Sequence, residues 1–493
     1  MNKQKIIVIG SGFAGLSAAC FMAKSGYQVT ILEKNTTAGG RARKFETNGF
    51  LFDMGPSWYW MPDVFERFFA QFGKKVEEYY QLVRLDPSYQ VLFDKDDKWL
   101  IPQDVDQLAG FLEKIEKGAG QQLKLFLEEA SIKYQVGMKD LVFKPGRSLK
   151  EFMSLDFFKG LLKLDLFTSH SNHVRKYFKN PKIISLLEFP VLFLGAKPQE
   201  TPALYSLMNY ADIKLGTWYP MGGMNKIVEG MVSLANSLGV KIEYNEAVVG
   251  FDYEQSKISK VKTATKTFDC DIVIAGADYH HIDQEVLDTS HRNYTETYWD
   301  KRIMAPSSLL FYLGIDKRLE NLQHHNLFFD EDFAQHAVEI YDHPQWPSKP
   351  LFYVSCPSVT DPLVAPSGKE NLFILIPVAP GIEDTDEIRE KYFDLVLERL
   401  ENLTNQSIRP YIIYKKSYAH QNFMEDYNSF KGNAYGLANT LNQTALLKPS
   451  IKSKKLKNLY FTGQLTVPGP GVPPSLISGE VVAKEIIKNL SLN

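Results

Sequence analysis

Lys5-Ile6-Ile7-Val8-Ile9-Gly10-Ser11-Gly12-Phe13-Ala14-Gly15 stands almost at the start of the chain, and its reading decides the fold. Lys5 to Ile9 is a short β-branched run suited to a buried strand. Leu16 to Lys24 has helical composition and is closed by Gly26, and Val29 to Leu32 reads as a second strand ending at Glu33. The 18 uncharged residues from Ile6 to Ala23 are long enough for a membrane span, but the glycines divide them into strand, turn and helix. The acid lies 18 positions after Gly15, the spacing of a dinucleotide-binding fingerprint. Gly10 permits the tight turn, Gly12 lets the backbone approach a pyrophosphate, and Gly15 lets helix and strand pack closely. The helix start at Phe13 and Ala14 offers free N–H groups to the phosphates. Glu33 is expected to accept hydrogen bonds from the adenosine ribose, and an acid there repels a 2′-phosphate. The nucleotide is therefore NAD or FAD.

Composition narrows the class. The 493 residues are 44% hydrophobic and 23% charged, which supports a large core and at least two domains and excludes disorder or a disulfide-stapled miniprotein. With 56 Lys+Arg against 58 Asp+Glu, the chain lacks the basic excess of a general nucleic-acid binder, so no nucleic-acid partner is expected. Cys20, Cys270 and Cys356 have no CxxC spacing, and the adjacent pairs His280-His281 and His324-His325 project in different directions. No metal site is expected. The 32 Phe, 25 Tyr and 6 Trp supply either an apolar substrate tunnel or an ordinary large core.

Downstream of the fingerprint come Gly39-Gly40-Arg41-Ala42 and Phe52-Asp53-Met54-Gly55-Pro56-Ser57, neither of which suits a plain NAD dehydrogenase. Together they resemble the amine-oxidase-like FAD superfamily, in which the Arg of a GGR segment sits near the flavin pyrophosphate. A guanidinium suits that task because it pairs with phosphate oxygens at fixed geometry. At the other end, Tyr460-Phe461-Thr462-Gly463-Gln464 and Val467-Pro468-Gly469-Pro470-Gly471-Val472-Pro473-Pro474-Ser475 look like the signature of bacterial-type carotenoid desaturases, the phytoene desaturase family. Tyr219 to Met224 and Ile272 to Asp278 resemble that family's second FAD block, so the likeness spans nearly the whole chain.

The resemblance implies an α/β fold: a Rossmann-like FAD-binding domain of glutathione-reductase/amine-oxidase type, an inserted α+β substrate domain and a helical membrane-facing region. The FAD-binding domain is expected to be discontinuous, over 1–101, 214–279 and 417–493, with 102–213 and 280–416 as the substrate-binding and membrane-associating domain. Gly40 and Arg41 would hold the pyrophosphate, Gly55, Pro56 and Ser57 would form a flavin loop ordered by Asp53, and Val248 would meet the adenine. Gly463 and Gln464 would lie along the ribityl chain and Val472 and Pro473 near the pyrimidine edge. A helix from Leu476 to Leu490, starting near Ser475, would aim its positive end at the flavin. Glu151 stands roughly where relatives have an acidic residue proposed as acid/base; on the residues alone it reads first as an exposed helix glutamate beside Lys150.

Phe157 to Lys182 combines apolar bulk with six positive charges and one negative. It reads either as a helix lying on an anionic membrane or as an amphipathic lid with a solvated basic face. The five lysines from Lys448 to Lys457 read as a solvated loop. By resemblance the chain is an FAD-dependent phytoene desaturase at the cytoplasmic face of the cell membrane. It would turn a long apolar polyene into a conjugated, lycopene-like product in carotenoid biosynthesis, passing electrons to a quinone or oxygen. Another carotenoid desaturase or ketolase, a flavin amine oxidase, and a non-enzymatic prenyl-lipid binder of Rab GDP-dissociation-inhibitor type remain as alternatives.

Overall fold

The computed structural model describes residues 3–146, 168–440 and 443–491. Glu151 and residues 157–167 of the apolar, basic stretch lie outside them.

The opening fingerprint folds as its pattern dictates. β1 (Lys5–Ile9) leads into α1 (Phe13–Lys24), and β2 (Gln28–Leu32) returns parallel to β1. Gly26, at φ +93°, makes the reversal after α1 without steric cost. β3 (Lys241–Glu243), β4 (Ile272–Ala275) and β5 (Leu459–Phe461) complete a parallel sheet in the order β5-β4-β1-β2-β3. Ile6 to Ile9 and Ile272 to Ala275 are buried throughout, which is why both strands read as continuous apolar runs.

α2 (Pro62–Ala70) meets α1 through Phe68 against Phe21, and α3 (Asn225–Ser237) and α4 (Val472–Ser491) pack on α1. α1 and α4 meet backbone to backbone: a Cβ on Gly479 would come within 2.3 Å of the Ala14 carbonyl oxygen. The Ser17 hydroxyl donates to the Leu476 carbonyl at 2.7 Å. α4 starts at Val472, earlier than the sequence suggests, because Pro473 and Pro474 occupy its first turn, where a missing N–H loses no helical hydrogen bond. Arg67 on α2 forms a two-pronged pair with the fully buried Glu480 on α4, at 2.6 and 2.9 Å. Replacing Arg67 by Met strands that carboxylate beside Lys484 alone, and a loss of about 2 kcal/mol is expected. A thermal melt that does not move would contradict this.

A second, seven-stranded sheet has the strand order Ile412–Tyr418, Ser307–Ile315, Glu370–Val378, Phe352–Ser355, His325–Phe328, Tyr89–Asp94, Asp97–Ile101. All its pairings are antiparallel except that of His325–Phe328 with Tyr89–Asp94. The last two strands join this sheet, although their position before residue 101 suggested the nucleotide-binding part. Side chains alternate along its strands. Leu309, Phe311, Leu313 and Ile315 pack against helix Asp386–Thr404, while Leu310 and Tyr312 face the other core, where the site lies.

Helices Val105–Ile115, Ala119–Val136, His170–Tyr177 and Pro181–Glu188 form the insert. Here Arg175 pairs with Glu188 and Lys182 with Asp97. Two of the six cations counted along Phe157 to Lys182 therefore meet acids that lie outside that segment.

Candidate functional site

The site begins where β1 ends. The Gly10 amide donates to the Leu32 carbonyl at 2.8 Å, which sets the turn at φ +92°. A Cβ on Gly15 would lie 2.0 Å from the Gly10 carbonyl oxygen, so Gly15 serves helix–strand contact. A Cβ on Gly12 would meet no protein atom within 4 Å, because Gly12 faces a cavity of about 530 Å³. Phe13 and Ala14, in the first turn of α1, line the same cavity.

Glu33, 4% exposed, is clamped in the cavity wall. Its carboxylate accepts from the Ser11 amide at 2.8 Å, the Ser11 hydroxyl at 2.6 Å, the Asn35 amide at 2.9 Å and the Asn35 side chain at 3.1 Å. The acid thus ties the glycine turn to the end of β2. The two side-chain donors can rotate away and leave oxygens for a ribose.

Arg41 follows Gly40, whose φ of +54° turns the chain toward Gly12. The Arg41 guanidinium donates to the Ser429 hydroxyl at 2.5 Å and the Asn433 carbonyl at 3.2 Å and stacks over Tyr427. Its Nε is buried and has no hydrogen-bond partner among the described residues. Burial lowers the Arg41 pKa, and the Asp278 charge opposes that shift. Asp278 also lines the cavity, with Oδ2 unpartnered among the described residues, and burial raises it to about 6 against the pull of Arg41. An unsatisfied guanidinium N–H and a helix N-terminus whose glycine faces open space, lining one cavity, fit a diphosphate.

Gly55, Pro56, Ser57, Val248, Gly463, Gln464, Val472 and Pro473 also line the cavity, so it brings together every proposed cofactor residue except Gly15, which packs behind it. The Gly463 amide donates to Ser478 on α4 at 3.0 Å, holding the C-terminal loop on the helix. Asp53 has a different task from the one expected. It accepts from the Met224 and Asn225 amides at 2.7 and 2.9 Å and so anchors the start of α3 to the strand Phe50–Asp53.

The cavity has two chemically distinct ends. Its charged wall residues, Glu33, Lys34, Arg41, Glu246, Asp278 and Asp426, gather around Arg41 and the ends of β2 and β4. The other end rests on the second sheet, with Leu310, Leu375 and Tyr353 as floor and Trp58, Trp60 and Tyr435 as walls. Sequence reasoning missed these aromatics because composition does not separate a cavity wall from a core. The alternation along Phe352–Ser355, which puts Tyr353 on the face opposite Phe352 and Val354, is the signal that could have found one of them.

Behind that wall Trp60 donates to Thr217 at 2.8 Å, Thr217 donates to Asp212 at 3.3 Å, and Tyr89 donates to Asp212 at 2.8 Å. Burial raises Asp212 from 3.8 to about 7. Its folded pKa lies above its unfolded one, so its contribution to stability is complete below pH 4 and is lost as pH rises to about 7. Asp212→Asn keeps partners for both hydroxyls and is expected to remove that slope, at most about 1.4 kcal/mol per pH unit. Parallel melting curves of variant and native protein between pH 4 and 7 would contradict this.

Lys448 departs from the solvated-loop expectation: it is 6% exposed, has no hydrogen-bond partner among the described residues, and burial lowers its pKa to about 7. Among the described residues no cluster of three or more metal-ligating side chains occurs.

Residues 13–487 match the family described as flavin containing amine oxidoreductase. The chain is 41% identical over 492 residues to the carotenoid 3,4-desaturase of Haloarcula japonica, covering all of this chain and 99% of that protein. It is 31% identical over 501 residues to a 4,4′-diapophytoene desaturase (4,4′-diaponeurosporene-forming) of Staphylococcus aureus, covering 99% of each. Among solved structures, an oxidoreductase from Methanosarcina mazei shares the fold at TM-score 0.65 and 16% identity, over 97% of this chain and all of that one.

Proposed function

The chain belongs to the flavin-containing amine oxidoreductase family, in its carotenoid-desaturase branch, and from that membership we propose that it desaturates phytoene stepwise to a conjugated, lycopene-like carotenoid. It is an FAD-dependent oxidoreductase. Bound FAD supplies a hydride-accepting ring. The α1 N-terminus, Gly12 and Arg41 would hold its diphosphate, Glu33 and Val248 its adenosine, and Gly463, Gln464, Val472, Pro473 and the Gly55–Ser57 loop its other half.

The observation that carries the substrate reading is the end of the cavity on the second sheet, aromatic and, among the described residues, uncharged. A polyene offers no charge to grip, so shape and apolar burial must align it. Loss of hydride leaves positive charge spread over the adjacent double bonds, and the faces of Trp58, Trp60 and Tyr353 are suited to stabilise it. Phytoene dissolves in lipid, so the reading includes docking on an anionic cytoplasmic membrane surface, with a quinone or dioxygen as electron acceptor. Among the described residues no helix is long and apolar enough to cross a membrane.

The Haloarcula relative favours a second reading, 3,4-desaturation of a carotenoid. Products formed in liposomes from phytoene, from diapophytoene and from lycopene distinguish the two. A lycopene-like spectrum from phytoene supports the first reading. Conversion of lycopene with phytoene left intact would replace it with the second.

A further inference from the structure

His324 and His325 are adjacent, and the second sheet sends their rings to different partners. His324 Nδ1 lies 2.9 Å from the Thr360 hydroxyl, whereas His325 Nδ1 lies 2.6 Å from the phenol oxygen of Tyr353, its diagonal neighbour on the next strand. His325 is fully buried, its Nε2 has no hydrogen-bond partner among the described residues, and its ring stacks on Trp58 at 4.1 Å and 8°. Tyr353 and Trp58 both line the uncharged end of the cavity. Among the described residues that line that end there is no carboxylate, lysine or histidine, and the two phenols there differ in what backs them. Tyr435 is backed by Ser308, whereas Tyr353 has an imidazole in addition to the Ser355 and Ser57 hydroxyls.

Resting on the desaturase reading, we infer that Tyr353 is the catalytic proton acceptor of the desaturation and that His325 is the positioning residue that takes the proton onward. One substrate C–H bond breaks with both electrons leaving as hydride to the flavin. On the neighbouring carbon a second C–H bond breaks, its electron pair becomes the new C=C π bond, and its proton goes to Tyr353 Oη. The phenol proton moves to His325 Nδ1, giving an imidazolium. The quinone or dioxygen that reoxidises the flavin takes the hydride together with this proton, which returns through Tyr353.

A C–H bond next to a carbocation is so acidic that a weak, buried, neutral base suffices. Burial, helped by His324, pushes the His325 pKa well below its ordinary value, so the resting imidazole is neutral and a weak base. Stacking on Trp58 stabilises the imidazolium while it lasts. The phenol also lies within hydrogen-bonding reach of Ser57, on the loop at the same end of the cavity.

The test uses full-length, FAD-loaded protein mixed anaerobically with phytoene in liposomes. Tyr353→Phe is expected to keep its FAD and slow flavin bleaching about 100-fold, and His325→Gln to slow it about 10-fold. The double variant is expected to be no slower than Tyr353→Phe, because a relay broken once is broken. In substrate-free protein, Tyr353→Phe should move the ¹⁵N resonances of His325. Bleaching of Tyr353→Phe at the native rate, or losses that multiply in the double variant, would overturn the relay. If Tyr353→Phe does not hold FAD, 3-fluorotyrosine at 353 keeps the shape and changes the acidity, and an unchanged bleaching rate then overturns it. Native protein that bleaches with no polyene overturns the desaturase reading itself, a result separate from any variant.

Discussion

Gly15→Ala abolishes FAD binding and most of the soluble protein. The added Cβ would lie 2.0 Å from the Gly10 carbonyl oxygen and 3.4 Å from the Val8 side chain, so α1 must lift away from β1. That movement reaches the rest of the site, because Gly10 also meets the backbone of Gly276 and Ala277 beyond β4, and α1 is locked to α4 at Gly479. Overpacking that forces backbone apart typically costs 1–3 kcal/mol or more in a core. Here it strikes the turn whose N–H groups would hold the diphosphate, so a loss above about 4 kcal/mol is expected, roughly a thousandfold in FAD affinity. Gly12→Ala is the control: its Cβ meets open cavity, so the protein should fold and melt as the native apoprotein does while binding FAD more weakly. Gly15→Ala that purifies yellow with native flavin content would contradict this.

Glu33→Ala is expected to have the next largest effect. The carboxylate accepts four hydrogen bonds, and its removal leaves the Ser11 and Asn35 amides without their acceptor beside the ribose position. An unsatisfied buried donor costs about 1–3 kcal/mol, so a loss of about 3 kcal/mol, or roughly a hundredfold in FAD affinity, is expected. Glu33→Gln should fare little better, since its NH₂ must face a backbone donor. Equilibrium titration of apoprotein with FAD reads both variants, and a Glu33→Gln affinity equal to the native one would show that the negative charge is dispensable.

What was legible in the sequence was local or carried by resemblance. Residues 5 to 33 announce their own strand, turn, helix and acid because each step follows from spacing a few residues long. β4 joins β1 from position 272 and β5 joins β4 from position 459, and no local pattern says which strands will neighbour; the likeness of the Gly463 and Val472 segments to a known family pointed there. Tyr89–Asp94 and Asp97–Ile101 look like any hairpin, and their place in the second sheet depends on a parallel pairing with His325–Phe328, more than 200 residues away. The Lys448 to Lys457 run reads as solvated, yet tertiary packing buries its first member. Asp53 read as a loop organiser because its partners, Met224 and Asn225, are distant in sequence. Tyr353 and His325 were hidden for the same reason: their bond exists only across two strands whose register the sequence does not print.

The central claim, that this cavity carries out flavin-dependent desaturation of a polyene, is tested most directly by one anaerobic experiment. FAD-loaded protein is mixed with phytoene in liposomes while flavin absorbance and polyene bands are followed together. The account predicts flavin bleaching at the same rate as a longer-wavelength polyene band appears, one double bond for each flavin reduced. Flavin that stays oxidised in the presence of phytoene, diapophytoene and lycopene, while an amine bleaches it, would contradict the account.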